Sequence, residues 1–269
     1  MTTTDSGVST AIGRQHMSEF EHFYVDHQQP AAVVEALRDR GIVTFAGIAD
    51  RTQLTRFASA FMISRGHRDA DADHVTGIRP DEDLVQRAAG VGFSRAAVRP
   101  HTEGSSLPNP PHLLALACVS PAPIGGTTVV IDGAAVYRHL QTHDPQAAET
   151  LSQPEAVRFG AGALPAATFE LLARDHVAMR YRADDLVEVA SDARRAWESL
   201  REALLEHQIR FKLCAGQGLV LDNTRWLHGR AAFEGDRLFN RVVGDPRSEA
   251  RLPIGFTKNE TRSTIGTGG

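Results

Sequence analysis

The segment Leu219-Val220-Leu221-Asp222-Asn223-Thr224-Arg225-Trp226-Leu227-His228-Gly229-Arg230 sets the reading of this chain. Leu219 to Leu221 read as an apolar strand. Asp222-Asn223 ends it, because both side chains bond readily to nearby backbone and tolerate turn conformations. The chain then resumes an extended path and delivers His228. Outward from this pair of strands, short apolar runs recur at residues 74–78, 127–131, 177–181, 209–213 and 238–243. Runs this short, bounded by turn formers, read as strands rather than helices.

Helical periodicity lies before and between them. Pro30 opens a helix whose Val33, Val34 and Leu37 share a face, and Gly41 ends it as a left-handed cap before a strand at 41–45. Asp50 is placed to cap a helix over 52–62, with Leu54, Phe57, Ala58 and Phe61 at helical spacing. Asp132 is placed to cap another over 134–143, and Ala193, Trp197, Leu200 and Leu204 mark a third apolar face. This order predicts a mainly β chain with flanking helices, built as an antiparallel double-sheet jelly roll, or double-stranded β-helix. Residues 18–256 are expected to form that one domain, after a disordered N-terminus at 1–17 and before a flexible tail at 257–269.

Composition narrows the function classes. The chain has 269 residues, 42% hydrophobic and 23% charged, and a formal net charge of -4, which leaves no basic stripe for nucleic acid or an acidic membrane surface. Cys118 and Cys214 lie far apart in apolar settings, so neither a disulfide framework nor a Cys-X-X-Cys site is indicated. Residues 1–17 lack the apolar centre of a secretory signal, and no run is long enough to span a bilayer. A soluble cytoplasmic protein with a small-molecule partner is expected; the sequence leaves its oligomeric state open.

Chemistry enters at Arg99-Pro100-His101-Thr102-Glu103. In an extended segment residues two apart point the same way, so an imidazole and a carboxylate can converge on one ion. Alone the tripeptide is weak, since twelve histidines generate it by chance and a solvated loop explains it. His228 adds a second imidazole, although singly it also reads as a hydrogen-bonded core residue. Two histidines and one carboxylate form a facial triad with coordination positions left open, which an oxygenase iron needs. Beyond the next hairpin, Arg237 and Arg241 lie four apart and so share one face of a regular strand. A guanidinium there suits the distal end of a dicarboxylate through paired charge-assisted hydrogen bonds, the ordinary alternative being a solvated edge charge.

Taken in order, His101-Thr102-Glu103, Gly125-Gly126-Thr127-Thr128, Asp222-Asn223 with His228-Gly229-Arg230, and Arg241 resemble the motifs of the taurine dioxygenase superfamily across residues 74–243. The resemblance implies iron(II) held by His101, Glu103 and His228. It implies 2-oxoglutarate as co-substrate, gripped by Thr128 and Arg241 with Arg237 near the same end. Dioxygen would be consumed, succinate and carbon dioxide released, and an unactivated C–H bond hydroxylated. Most relatives carry Asp where this chain has Glu103, which is similar to clavaminate synthase and its amino-acid hydroxylase kin. That implies a small polar substrate, an amino acid or an amino-acid-derived natural-product precursor, free or carrier-tethered. The carboxylate argues against the halogenating relatives, which carry a small residue there.

The same site would also serve desaturation, cyclisation or epimerisation. A different class, a non-catalytic metal-binding jelly roll, would need neither Arg241 nor Thr128, and a plain interaction module would need none of these residues. Asp222 or Asn223 is placed to hydrogen-bond near His228, and a structural Asx turn explains both equally well. Arg180, Arg237, Ser105, Ser106 and Asn109 are candidate substrate contacts, and residues 64–99 and 151–175 candidate lids.

Overall fold

Pro30 fixes the first turn of helix α1 (Pro30–Arg40), which buries Val33 and Leu37 and closes on Gly41 in the left-handed conformation, its N–H bonded to the Leu37 carbonyl. Helix α2 (Arg51–Ala58) starts at Asp50, whose carboxylate accepts from the Gln53 N–H. It stops short of the expected Met62 because Met62 enters strand β2 (Met62–Arg65) and pairs with Pro246. The computed structural model describes residues 19–87, 90–173 and 175–258, so the expected disordered stretch 1–17 lies outside the described residues.

The other strands of the core are β1 (Ile42–Phe45), β3 (Thr76–Ile78), β4 (Val98–His101), β5 (Leu113–Ser120), β6 (Thr128–Asp132), β7 (Gln208–Phe211), β8 (Gly218–Asp222), β9 (Trp226–Arg230) and β10 (Leu238–Pro246). The larger sheet runs β1-β8-β5-β10-β2, with β3 also on β10, and the smaller runs β7-β6-β9-β4. All these pairings are antiparallel. Ile42, Leu114, Leu219, Leu221 and Phe239 of the larger sheet pack with Val130, Phe211 and Trp226 of the smaller, so the two inner faces share one core. The expected jelly roll is the observed fold.

Period-2 alternation sorts the remaining side chains. Leu113, Ala115, Ala117, Val220 and Val242 face outward under α1 and α2. Ile131 and Leu227 face outward under helices α3 (Gly133–His143), α4 (Pro145–Thr150) and α5 (Arg194–Glu206). Phe239 and Val243 point inward, Arg241 shares their parity and hence their face, and Arg237, just before β10, lies over the inward Phe239 ring. Asp132 caps α3 as expected, accepting from the Ala134 N–H, and also pairs with Arg225 at 2.9 Å. The expected tail is anchored at its start: Thr257 pairs with His176, and the Lys258 N–H bonds to the Asp175 carbonyl. Residues 259–269 lie outside the described residues. Among the described residues, no helix is long and apolar enough to cross a membrane.

One irregularity positions the site. Strand β4 pairs with β9 as His101 with His228 and Val98 with Arg230, so Arg99 and Pro100 together stand opposite Gly229. Proline has no N–H to give to a ladder and is tolerated at such a bulge. The close approach also demands glycine across from it, since a Cβ on Gly229 would lie 2.6 Å from the Val98 oxygen and 2.9 Å from the Pro100 nitrogen. Replacing Gly229 with alanine should therefore force the strands apart and cost about 1–3 kcal/mol in urea unfolding. Gly66→Ala, where an added Cβ meets nothing within 4 Å, should stay within about 0.5 kcal/mol of wild type; equal effects of the two substitutions would remove the bulge argument.

Candidate active site

His101 ends β4 directly opposite His228 on β9, with ring centroids 4.4 Å apart. Glu103 follows two residues on, its Oε2 3.9 Å from His228 Nε2. One donor atom from each of the three lies within 4.8 Å of the others, so the predicted ligands are brought together. The His101 Nδ1 lies 2.9 Å from the Arg99 carbonyl; donation there fixes the tautomer and leaves Nε2 to coordinate.

Of the two roles open to the Asp222-Asn223 pair, Asn223 takes a structural one. Its Oδ1 accepts from the Glu103 N–H at 2.6 Å, and its Nδ2 donates to the Glu103 and Pro111 carbonyls at 2.9 and 2.8 Å. The turn between β8 and β9 thus holds the backbone of the acidic residue rather than His228. Asp222 accepts from the Thr224 N–H and hydroxyl, an ordinary Asx turn.

The protonation states suit a divalent cation. Burial alone would push the Glu103 carboxyl up, but Arg241, then His101, His228 and His67, outweigh it and hold it at about 2. Burial, reinforced by His101, pushes His228 down to about 3. An ionised carboxylate opposite a neutral imidazole is the pair of forms that binds metal, so these residues fit the ion the motif implies.

Arg241 reaches into this cluster. Its guanidinium donates to Glu103 Oε2 at 2.6 Å, and its second terminal nitrogen lies 3.2 Å from His67 Nδ1. The resemblance places Arg241 at the far end of the co-substrate with Thr128; in the structure its guanidinium lies on the carboxylate of Glu103, a candidate metal ligand. Arg237, one strand turn earlier, is buried and lies over the Phe239 ring at 3.5 Å and the Phe233 ring at 5.6 Å. A Cβ on Gly126 would sit 3.8 Å from its Nε, which puts it beside the glycine pair that precedes Thr128. Thr128 is itself buried, on the inward parity of β6 with Val130. Burial, then Arg230, push the Arg237 pKa down to about 9, and among the described residues no carboxylate offsets it.

The other candidates make contacts within the fold. Arg180 donates to the Ser105, Leu107 and Pro108 carbonyls and so braces the loop after Glu103. Ser105 is buried, and the Asn109 carbonyl accepts from Arg65. Arg230 donates to the Ala96, Gly92 and Ser94 carbonyls, tying residues 92–96 to β9. Both candidate lid segments border the site: 64–99 contributes His67, and Gly160 packs so closely on Ser106 that a Cβ there would lie 2.4 Å from the serine Cβ. No sequence signal marks His67, a loop residue outside every motif.

Two facing antiparallel sheets carrying His-X-Glu and a distal histidine on paired strands define a double-stranded β-helix with a facial-triad site. The sequence profile of the family described as "Taurine catabolism dioxygenase TauD, TfdA family" matches residues 5–243, and the chain belongs to that family. Among solved structures, an asparagine oxygenase in complex with Fe(II), 3-hydroxyasparagine and succinate is similar at TM-score 0.65 and 16% identity, over 81% of this chain and 79% of that one. The non-heme iron oxygenase OrfP in complex with Fe and alpha-ketoglutaric acid is similar at TM-score 0.63 and 17% identity, over 90% and 92%. A comparison with curated proteins gives no match.

The depressed His228 pKa has a stability consequence of definite sign. Below the unfolded value near 6.5 the unfolded chain takes up a proton that the folded site refuses until about pH 3. Metal-free protein should thus lose stability as pH falls through this window, with His228 contributing up to about 1.4 kcal/mol per pH unit. Glu103 adds a loss only below its unfolded value of 4.5. Urea unfolding between pH 4.5 and 6.5 should show a shallower slope in His228→Gln than in wild type; parallel slopes would mean that the imidazole is not held neutral.

Proposed function

We propose that this chain is an iron(II)- and 2-oxoglutarate-dependent dioxygenase that hydroxylates a C–H bond of a small amino-acid substrate and releases succinate and carbon dioxide. The observation that carries the reading is Arg237, a buried guanidinium with rings around it and no carboxylate, just before the strand that carries a residue touching the triad. Stripped of water and unneutralised, it is built to receive an anion, and the distal carboxylate of a diacid restores two charge-assisted hydrogen bonds. A site that merely stored a metal would have no use for it.

Roles follow from position. His101, Glu103 and His228 hold the iron. Arg237, with the Thr128 hydroxyl, takes the distal carboxylate of 2-oxoglutarate. Arg241 holds the free edge of Glu103 and keeps that carboxylate ionised. When bound, the metal supplies dioxygen activation and the redox chemistry. The protein's share is to fix the ligands, exclude water and keep the target carbon near. The solved relatives contain hydroxylated asparagine and hydroxylated arginine, which supports an amino acid or an amino-acid-derived natural-product precursor here. Both cysteines are free, in keeping with a cytoplasmic protein.

Anaerobic titration of iron(II) and 2-oxoglutarate into metal-free protein should give the visible charge-transfer band of the chelate, absent in His228→Ala. Arg237→Ala should raise the 2-oxoglutarate Kd at least about 30-fold, since truncating one partner of a buried charge pair costs about 2–5 kcal/mol. Arg241→Ala should instead weaken iron retention more than 2-oxoglutarate affinity. An undiminished band in Arg237→Ala would overturn the assignment of the distal carboxylate. Absence of any band with iron bound would overturn the dioxygenase reading.

A further inference from the structure

Away from the triad, a second group of ligating side chains gathers where two helices end. His139 and His143 sit one turn apart near the C-terminus of α3, Glu206 is the last residue of α5, and His207 follows it. His207 Nε2 lies 3.3 Å from His139 Nδ1, and Glu206 Oε2 lies 3.9 Å from the same nitrogen. One donor atom from each of His139, Glu206 and His207 falls within 4.8 Å of the others. The His143 ring lies 4.3 Å from that of His139, tilted by 32°, its Nδ1 held by the His139 carbonyl.

From this geometry we propose a second, non-catalytic divalent-metal site formed by His139, Glu206 and His207, with a fourth position open to water. Two imidazole nitrogens bound to one tetrahedral zinc-like ion at about 2.05 Å stand about 3.3 Å apart, the separation seen here between His139 and His207. Glu206 is exposed and needs only a side-chain rotation to close its longer distance. An imidazole-rich, mixed N/O set selects zinc, cobalt, nickel or copper over magnesium or calcium.

The electrostatics agree. Both helices point their negative ends at this spot, and a carboxylate at a helix C-terminus is unfavourable unless a cation joins it. Without an ion, the 3.3 Å contact is a hydrogen bond in which one ring donates. Coordination requires that proton to sit on the far ring nitrogen, so the step is a tautomer shift with no net oxidation. The ion would clamp the end of α3, which grows directly out of β6, to the start of β7, its sheet neighbour, where Gln208 pairs with Ile131.

Cobalt(II) alone, titrated under nitrogen into metal-free full-length protein and followed by calorimetry and visible absorption, tests this. Wild type should bind two equivalents. His228→Ala should keep one, with the stronger absorption of four-coordinate cobalt, and His139→Ala should keep only the other. Glu206→Gln, whose exposed side chain can change without disturbing the fold, and His207→Gln should each weaken the second equivalent at least about tenfold. Zinc should raise the Tm of His228→Ala protein, and the further substitution His139→Ala should abolish the rise. A single equivalent in wild type with none in His228→Ala would overturn the proposal and leave only a His–His hydrogen bond. So would a second equivalent indifferent to all three substitutions.

Discussion

The pairing of His101 with His228 across β4 and β9 is the constraint on which the rest of the site depends. It exists because the ladder slips at Arg99–Pro100 opposite Gly229, a place where one strand lacks an N–H and the other lacks a side chain. Without that slip, a register shifted by one residue would turn either histidine to the opposite face of the smaller sheet. The fold therefore does more than support the ligands. A jelly roll offers many inward positions, and the bulge selects which two become neighbours.

Around that pair the charges are mutually arranged. Glu103 is buried, which by itself opposes ionisation, yet Arg241 and the surrounding histidines keep it charged. The backbone under it is fixed by Asn223 and the loop beyond it by Arg180. These hydrogen bonds run between segments far apart in sequence and join the Asx turn, the loop after Glu103 and strand β10 into one unit. Preorganisation of this kind lets a ligand set receive an ion without rearranging first.

The sequence made much of this visible, for identifiable reasons. The strand-turn-strand at residues 218–230, the caps at Gly41, Asp50 and Asp132, and the inward parity of Arg241 rest on local periodicity and turn chemistry, which act over a few residues. Strand β5 was not visible. Leu-Leu-Ala-Leu-Ala is an apolar run without alternation and suits a helix as well as a strand; only its position between β8 and β10, with both faces covered, makes it the centre of the larger sheet. The end of α2 was misplaced because Met62 is claimed by a strand pairing 184 residues away, information no window contains. His67, and the shift of Asn223 and Arg180 to bracing backbone, belong to the same category of long-range contact.

Arg237, just before β10, and Arg241 within it show where motif order stops and geometry begins. The resemblance gives the distal carboxylate to Arg241, with Arg237 near the same end, and their spacing alone does not rank them. Four residues along a strand separate their Cα atoms by about 13 Å. Arg241 already touches the carboxylate proposed to hold the metal, whereas a five-carbon diacid chelated at one end would carry its other end several bonds away from the ion. The arginine that meets that end must be displaced along the strand from the triad, and it must be without an acidic partner of its own. Among the described residues Arg237 has no acidic partner and Arg241 has Glu103, which is why the proposed function gives the far end of the co-substrate to Arg237.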